Sequence, residues 1–465
     1  MQQNNEQFTP DLLLNKVIDR NGKLGKDACE IITSAIRAVN PYKCVTRNIS
    51  DQTDFIRIGN RDINKSAFDR IIVIGLGKAS VSMAKGVIDI FKDKILYAAI
   101  VTKDKGFQSE DGYCGVLKVY IGGHPIPTAA SLNSTKLMLS QLPSLTSRDL
   151  VIVLISGGGS ALFTLPVQGI SLDDIQGMTA LLLKSGADIN EINTLRKRLD
   201  QVKGGGLARL LYPAQTHTLI LSDVIGDPLD MIASGPTIHD PTDIEDAFKI
   251  IEKYQLGNKL PQSILLHLQK ERGNKGSNSE ISKPNKIIKT NPIVIGSIFT
   301  STLAALDEAN ALGYNSQIIS THLTGNTQHV AEFIGGIIDS EEVHNIPIQK
   351  PACLIFGGET TVKVTGDGLG GRNQDLSLHM TRRLAGKGKT LFISFATDGE
   401  DGPTDAAGGA VDGFLCNEGA AENRLEINQF IANNDAYHYL EQLGALIKTG
   451  ATGTNVNDLI IVVMD

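Results

Sequence analysis

A stretch of small polar residues, Ser156 to Ser160, follows directly after the apolar run Val151–Ile155. Its centre is three consecutive glycines, and the residues from Ala161 onward can begin a helix. Glycines between a strand and a helix leave backbone N–H groups free to bind an anion, and the helix N-terminus adds partial positive charge. The pattern therefore indicates a phosphate site, with a tight turn that binds nothing as the alternative. The residues of this candidate site are Ser156, Gly157, Gly158, Gly159 and Ser160.

A second glycine-rich turn carries a lysine. It follows the apolar run Ile71–Ile74, contains Gly75, Gly77 and Lys78, and precedes a predicted helix over Ser80–Phe91. A lysine at the start of a helix opposes the helix dipole, so a bound anion would explain its position. We therefore expect the two glycines to approach a phosphate and the lysine to contact it.

Three further glycine-rich segments occur in the second half of the chain. GGETTV follows Leu354–Phe356 and carries Glu359, GDGLGGRNQD carries Arg372 and Asn373, and TDGEDG follows another apolar run. The planar guanidinium of Arg372 matches the geometry of a carboxylate or a phosphoryl group. Glycine-rich turns at strand ends, several beside a charged residue, indicate a site for an anionic ligand.

The segment INTLRKRLDQVKGGG is rich in cations. As a helix it would place Arg196 and Lys203 on one face, because residues seven apart share a helix face. Such a face beside a glycine-rich turn suits a carboxylate or a phosphate. A solvated basic face is the alternative.

Two carboxylates, Asp223 and Asp398, follow apolar runs that read as strands. A carboxylate at a strand end near phosphate-binding turns can bind Mg²⁺ or act as a base. Either residue could equally stabilise its turn through local hydrogen bonds.

Composition places the chain among globular proteins of the cytoplasm. Its 465 residues are too many for one ordinary core, and its net charge of −7 argues against nucleic-acid and membrane-surface partners. The N-terminus has no signal-peptide pattern, and no apolar run approaches the ~20 residues that span a bilayer. Five scattered cysteines without a CxxC pair suit a reducing compartment and predict neither a disulfide framework nor a zinc site.

Apolar runs alternate with helical windows along the first half of the chain. This alternation predicts a Rossmann-like domain with a mainly parallel sheet over residues 1–270. The predicted strands are Ile71–Ile74, Ile95–Val101, Leu117–Ile121, Leu150–Ile155 and Thr218–Leu221, after a helix at Ala28–Val39.

The polar stretch Glu271–Asn291 is either a domain boundary or a long excursion between elements. We expect a C-terminal α/β domain over residues 286–465 with a mixed sheet, because Thr361–Val364 closely follows another strand and should pair antiparallel with it. Since ligands bind beyond the carboxyl ends of strands, the active site is expected in the cleft between the two domains. The predicted elements are strands at Ile293–Ile295, Ser316–Ser320, Ala352–Phe356, Thr361–Val364, Thr390–Phe395 and Leu459–Val463, and helices at Thr300–Leu312, Gln328–Ile338 and after Arg372.

Ordered motifs along almost the whole chain resemble the glycerate 2-kinases of the MOFRL family, some of which have been labelled hydroxypyruvate reductases. The motifs are AIRAVNPY, GLGKAS, GGHPIP, LISGGGSAL, NTLRKRL, KGGGLA, SDVIGD, IASGPT, GGETTV, GGRNQD, TDGEDGPTDAAG and TGTNVND. The MOFRL-like part covers about residues 350–463.

The resemblance implies a two-domain α/β kinase that transfers the γ-phosphoryl group of ATP to the C2 hydroxyl of D-glycerate. ATP and Mg²⁺ are the implied cofactors, and Lys78 and Arg372 match the family's active-site lysine and arginine. A homo-oligomer is one expectation for the assembly.

Two other functions remain as alternatives. An NAD(P)H-dependent hydroxypyruvate reductase would need a dinucleotide fingerprint, but Ser80 stands where its third glycine belongs. The strand Ile95–Val101 also ends in Thr102 and Lys103 instead of an acidic residue. A non-catalytic sugar-phosphate or nucleotide sensor would need the anion site without both Lys78 and Arg372.

Overall fold

The computed structural model describes residues 8–103, 116–273, 290–415 and 422–465. Its strands, in chain order, are β1 Ile49–Asp51, β2 Phe55–Ile58, β3 Arg61–Asn64, β4 Arg70–Leu76, β5 Ile95–Thr102, β6 Leu117–Ile121, β7 Asp149–Ile155, β8 Gln215–Leu221, β9 Thr290–Gly296, β10 Asn315–Asn326, β11 Ala352–Thr361, β12 Thr390–Ala396, β13 Gly408–Asp412, β14 Leu446–Ile447 and β15 Asp458–Met464.

The helices alternate with these strands over most of the chain. They are α1 Lys16–Arg20, α2 Lys23–Ala38, α3 Pro41–Asn48, α4 Ser80–Phe91, α5 Ala129–Ser140, α6 Gly159–Leu162, α7 Leu172–Lys184, α8 Ile189–Arg198, α9 Gly206–Leu210, α10 Ile244–Lys253, α11 Gln262–Gly273, α12 Ile298–Ala311, α13 Thr327–His344, α14 Arg372–Arg383, α15 Glu422–Ala432 and α16 Ala436–Gln442.

The first large sheet has the strand order β6-β5-β4-β7-β8-β9, and the five strands from β6 to β8 pair in parallel. Numbered by appearance, this order is 3-2-1-4-5-6, which is typical of Rossmann-like sheets. Strands β4 and β7 are buried along nearly their whole length, as expected for parallel strands covered on both faces. The predicted Rossmann-like, mainly parallel sheet is confirmed.

One predicted strand was assigned to the wrong domain. We predicted Ile293–Ile295 as the first strand of the C-terminal domain, but β9 is an edge strand of the Rossmann-like sheet, beside β8. A short apolar run does not reveal its pairing partner, and the polar stretch before it suggested a boundary. The small antiparallel sheet β1-β2-β3 was not predicted.

The second large sheet has the order β10-β11-β15-β12-β13-β14 and is mixed, as predicted. The sheet is mixed for a different reason from the one that we expected. Thr361–Val364 is not a separate antiparallel strand, because β11 continues through the Gly357-Gly358 pair to Thr361. Instead the C-terminal β15 lies between β11 and β12 and is antiparallel to both.

The GGETTV segment was also wrongly predicted as a turn. Both glycines lie inside β11, where a Cβ on Gly357 would meet Ile298 at 2.4 Å and one on Gly358 would meet the carbonyl oxygen of Leu323 at 2.0 Å. Glycine is needed there so that α12 and β10 can approach the strand closely.

The chain forms two compact units that are not consecutive in sequence. One unit comprises Pro41–Ser222 and Asp227–Ile295, with the Rossmann-like sheet. The other combines the helices that end before Asn40, the short segment Asp223–Gly226 and the chain from Gly296 onward, with the mixed sheet.

The N-terminal helices are anchored in the unit of the mixed sheet. Helix α2 packs against α12 and β15. The guanidinium of Arg20 binds the carboxylate of Asp412 on β13 through two nitrogens, and the Asn21 side chain donates to the same carboxylate at 2.7 Å. The Asp412 side chain is only 1% exposed, so these donors replace the water that the carboxylate loses on burial.

In the described part of the chain, no helix is long and apolar enough to cross a bilayer. Cys29, Cys44 and Cys353 are free and buried, whereas Cys114 and Cys416 lie outside the described residues.

The anchor at Asp412 yields a stability prediction. Arg20→Ala should lower the free energy of unfolding by about 3 kcal/mol, because it removes the cation that faces a buried carboxylate. Arg57→Ala is the matched control, since Arg57 and Asp62 form an exposed pair whose side chains are 53% and 48% exposed. Its loss should cost below about 1 kcal/mol. Denaturant unfolding of both variants measures the difference, and equal losses would contradict the prediction.

Candidate active site

The glycine turns of the Rossmann-like unit lie at the point where the strand order reverses. Strands β4 and β7 are neighbours and parallel, with Leu76 paired to Ile155 at their carboxyl ends. After β4 the chain continues to β5 on one side, and after β7 it continues to β8 on the other side. A crevice opens at such a reversal, and it is the usual ligand site of this sheet type.

The two turns are bonded to each other. The amide of Lys78 donates to the carbonyl oxygen of Gly157 at 2.9 Å, and the amide of Ala79 donates to the Ser156 hydroxyl at 3.0 Å. Gly77 has a φ of 113°, and a Cβ there would meet the Ser156 carbonyl oxygen at 2.3 Å. Gly77 is therefore required for the two turns to touch. Helix α4 begins only at Ser80, so Lys78 lies two residues before the helix and not in its first turn.

Lys78 and Gly158 lie on the same side of the paired turns, together with His124 of the GGHPIP segment. A Cβ on Gly158 would meet the His124 ring at 2.8 Å and the Cγ of Lys78 at 3.4 Å. Lys78 is partly buried and His124 is exposed. Among the described residues, the amides of Gly157, Gly158 and Gly159 have no hydrogen-bond partner. The arrangement offers an anion several N–H donors and an ammonium group.

A chain of hydrogen bonds leads from the glycine turn to Arg196. The hydroxyls of Ser160 and Ser234 are 2.8 Å apart, and Ser234 donates to the Asn193 amide oxygen at 3.1 Å. Arg196 donates to the same oxygen at 3.1 Å. Ser234 and the preceding Ala233 have φ values of 61° and 51°, a left-handed conformation that is unfavourable for both residues.

The predicted shared face of Arg196 and Lys203 is not present. Helix α8 ends at Arg198, so Lys203 lies outside it. The Lys203 ammonium is buried, 3.1 Å from the Asp200 carboxylate, and donates to the Phe163 carbonyl oxygen at 2.8 Å. Burial lowers the pKa of Lys203, and the nearby Asp200 opposes that effect. Lys203 thus supports the segment that follows the glycine turn, and its contact with a substrate stays a prediction.

The mixed-sheet unit gathers a second set of site residues around Arg372. Arg372 is the first residue of α14, and its Nε and one terminal nitrogen contact the Asp458 carboxylate at 2.6 and 3.1 Å. The other terminal nitrogen contacts Glu359 at 2.6 Å. The Asp458 side chain is 3% exposed and that of Glu359 is 41% exposed. The guanidinium is therefore held from inside by one carboxylate and bound at its outer end by another.

Two buried carboxylates surround the start of α14. Burial raises the pKa of Asp458 to about 6, against the opposing charge of Arg372. Burial also raises the pKa of Asp401, which accepts from the backbone amides of Asn373 and Gln374 at 3.1 and 2.9 Å. For Arg372 itself, burial would lower the pKa, but the carboxylates of Asp458 and Glu359 raise it above its usual value. Arg372 is thus a permanent cation.

The two candidate metal ligands lie in loops at strand ends. Asp398 follows β12 and accepts from the backbone amide of Glu400 at 3.1 Å. Asp223 follows β8 and belongs to the mixed-sheet unit through the segment Asp223–Gly226. No group of three or more His, Cys, Asp or Glu side chains in the described ranges could hold a metal ion.

Several residues of these arrangements were not predicted as site residues. Among them, His124, Ser234 and Asp458 all occur in motifs that carry the family resemblance, but none was given a role. A charged residue at the start of the apolar strand β15 is the one signal that could have singled out Asp458. The contacts of the other two depend on how distant segments fold together.

The sheet order and the paired glycine turns define an α/β protein with a Rossmann-like sheet, and a strand-order reversal of this kind is the usual ligand site of such sheets. Comparison with protein-family models gives the family. The domain of unknown function DUF4147 matches residues 27–269, and the MOFRL family matches residues 352–458. The chain belongs to the glycerate 2-kinases of the MOFRL family.

Similar proteins cover nearly the whole chain. A D-glycerate 2-kinase of Thermotoga maritima is 41% identical over 94% of this chain and 98% of its own length. A glycerate 2-kinase of Pyrococcus horikoshii is 40% identical over 93% and 96% of the two chains. A crystal structure of glycerate kinase from Thermotoga maritima superposes with a TM-score of 0.82 at 39% identity, covering 95% of this chain and 99% of that one.

The contact between the turns yields a second prediction. Gly77→Ala should lower the free energy of unfolding by at least about 2 kcal/mol, since it combines an unfavourable φ with a backbone clash. Gly177→Ala is the control, because Gly177 lies in α7 with nothing within 4 Å of an added Cβ. That change should stabilise the protein by roughly 0.5–1 kcal/mol. Thermal unfolding of both variants would refute the prediction if they shifted in the same direction.

Proposed function

We propose that this protein is a glycerate 2-kinase that transfers the γ-phosphoryl group of ATP to the C2 hydroxyl of D-glycerate, giving 2-phosphoglycerate and ADP. The observation that carries the proposal is the paired glycine turns at the β4–β7 reversal, with Lys78 beside them. The close similarity to D-glycerate 2-kinase of Thermotoga maritima supports the choice of substrate.

The glycine turns and Lys78 are proposed to bind phosphate. Phosphoryl transfer requires alignment of the two oxygens and positive charge on the transferred group, with little covalent chemistry by the protein. The amides of Gly157–Gly159 supply fixed donors that need no reorganisation, and the ammonium of Lys78 supplies charge. Gly77 serves this site by letting the first turn approach the second. Gly75 lies inside β4, where an added Cβ would meet Ile100 at 2.5 Å, and its contact with a phosphate stays a prediction.

Arg372 is proposed to bind a phosphoryl or carboxylate oxygen with the outer end of its guanidinium. Asp458 occupies the inner edge of the guanidinium, so the nitrogen that contacts the half-exposed Glu359 is the one that an anion can reach. Asn373 orients the same helix end, because its side chain binds both Asp401 and Ser394.

Mg²⁺ is expected to accompany the nucleotide. Magnesium is commonly bound by one or two protein carboxylates together with substrate phosphates and water. Asp223 and Asp398 are the candidates for that role, and neither belongs to a cluster that could hold the ion alone within the described residues. A role of Asp223 or Asp398 as the base, a cytoplasmic location and a homo-oligomeric assembly stay predictions.

The experiment that tests the proposal is incubation with ATP, Mg²⁺ and D-glycerate, followed by measurement of ADP release and of the product by ³¹P NMR. We expect 2-phosphoglycerate. NADH oxidation with hydroxypyruvate, run in parallel, tests the reductase alternative and should show no activity. Absence of both activities in a folded protein would favour the sensor alternative and contradict the proposal.

Lys78→Ala should reduce kcat by roughly 100- to 1000-fold with little change in melting temperature, because one lost charge contact at a transition state costs about 3–4 kcal/mol. Lys184→Ala is the control, since Lys184 is an exposed lysine at the end of α7 in the same unit. Wild-type turnover in Lys78→Ala would exclude the catalytic role.

Arg372→Lys should be nearly as damaging to kcat as Arg372→Ala. A lysine keeps the charge but cannot bind Asp458 with one edge and a second anion with the other. Both variants should also lose stability, because Asp458 is left without its paired donors. Turnover measured well below each melting temperature separates the two effects. A Lys variant within about threefold of wild-type turnover would show that charge alone is sufficient.

A further inference from the structure

One cation in the cation-rich segment has no carboxylate partner among the residues that the structure describes. Lys197 lies 2.9 Å from Asp230, Lys203 lies 3.1 Å from Asp200, and Arg198 pairs with Glu271 and Asp240. Arg196, in contrast, forms no ion pair with any residue that the structure describes, and its hydrogen-bond partner is the neutral amide of Asn193.

Leaving Arg196 without a counter-ion also costs free energy. Its side chain is partly buried, and burial lowers the pKa of Arg196 despite the more distant charge of Asp200. A desolvated cation without a counter-ion is unfavourable, and an anionic ligand would remove that cost. The protein retains Arg196 although it neutralises the three neighbouring cations with its own carboxylates.

The surroundings of Arg196 are built to hold it in one orientation. The Asn193 oxygen accepts from both Arg196 and Ser234, and the Ser234 hydroxyl contacts that of Ser160. Ser234 is fully buried and keeps a φ of 61° to make these contacts. Strained backbone of this kind persists where function requires it. The chain of hydrogen bonds ends in the glycine turn that we assign to phosphate.

We propose that Arg196 binds the C1 carboxylate of D-glycerate, next to the phosphoryl group that the glycine turn binds. The inference rests on the proposed function and assigns this arginine to the acceptor and not to ATP.

The chemistry of the acceptor requires such a neighbour. The reacting hydroxyl is on the carbon directly bonded to the carboxylate, so a carboxylate site must lie beside the phosphoryl site for C2 to be the position that reacts. The planar guanidinium matches a carboxylate with two parallel N–H donors. Anchoring the carboxylate at Arg196 would leave the C3 hydroxyl one carbon further from the phosphoryl group.

The test compares Arg196→Gln with Arg198→Gln, a neighbouring arginine that is neutralised by Glu271 and Asp240. We expect Arg196→Gln to raise KM for D-glycerate by about 100-fold, the effect of leaving a charged group unpaired, and to change KM for ATP by less than about threefold. Arg198→Gln should lower the melting temperature without changing either KM. Arg196→Lys should recover part of the affinity.

Binding without turnover gives an independent readout. D-glycerate alone should raise the melting temperature of the wild type and of Arg198→Gln but not that of Arg196→Gln, while ATP should raise all three. An unchanged glycerate effect in Arg196→Gln, or a rise in KM for ATP in place of glycerate, would overturn the assignment. If the wild type makes no 2-phosphoglycerate, the proposed function fails, which is a result distinct from a failure at Arg196.

Discussion

The parallel pairing of β4 with β7 is the constraint on which the proposed phosphate site depends. It brings two glycine turns, about eighty residues apart in sequence, to the same edge of one sheet. The turns then bond directly to each other, through the Lys78 amide and the Ser156 hydroxyl. Because the backbone amides of Lys78 and Ala79 make these bonds, the position of Lys78 follows from the pairing of the two strands and not from helix α4, which begins two residues later.

The same unit uses buried charge in two ways. The Lys203–Asp200 pair is fully buried and bonded to Phe163 and Thr164, so it holds the segment after the glycine turn in place. Arg196 lies four positions before Asp200 in the sequence and has no carboxylate partner in the described residues. In this segment the neutralised Lys203 supports the fold, whereas Arg196 is proposed to bind a ligand. This contrast distinguishes the two cations that looked equivalent in sequence.

The mixed-sheet unit depends on β15, which pairs with both β11 and β12 and brings Asp458 beside Arg372. Buried Asp458 fixes the inner edge of the guanidinium, and Asp401 fixes the start of α14 from a different loop. Arg372 therefore has little freedom to move, which would lower the entropic cost of the proposed binding of an anion at its outer end.

Much of the fold could be predicted from the sequence. Parallel strands buried on both faces appear as continuous apolar runs, so β4, β5 and β7 were located within a residue or two. Helix α4 was predicted with its observed limits, Ser80–Phe91, because a glycine turn marks its start. The glycines and cations of the candidate site could also be recognised in the sequence, because glycine-rich turns beside a charged residue at a strand end indicate an anion site.

The tertiary structure decided which strands and which side chains pair with each other. Nothing in the run Ile293–Ile295 shows that β9 pairs in the first sheet, and nothing in GGETTV shows that its glycines lie inside a strand against Leu323. Likewise, the sequence alone determined that Arg372 carries a charge, but only the fold showed that Asp458, eighty-six positions away, holds it. Local composition encodes the elements and their charges, whereas partners distant in sequence are selected by packing, which has no local pattern to read.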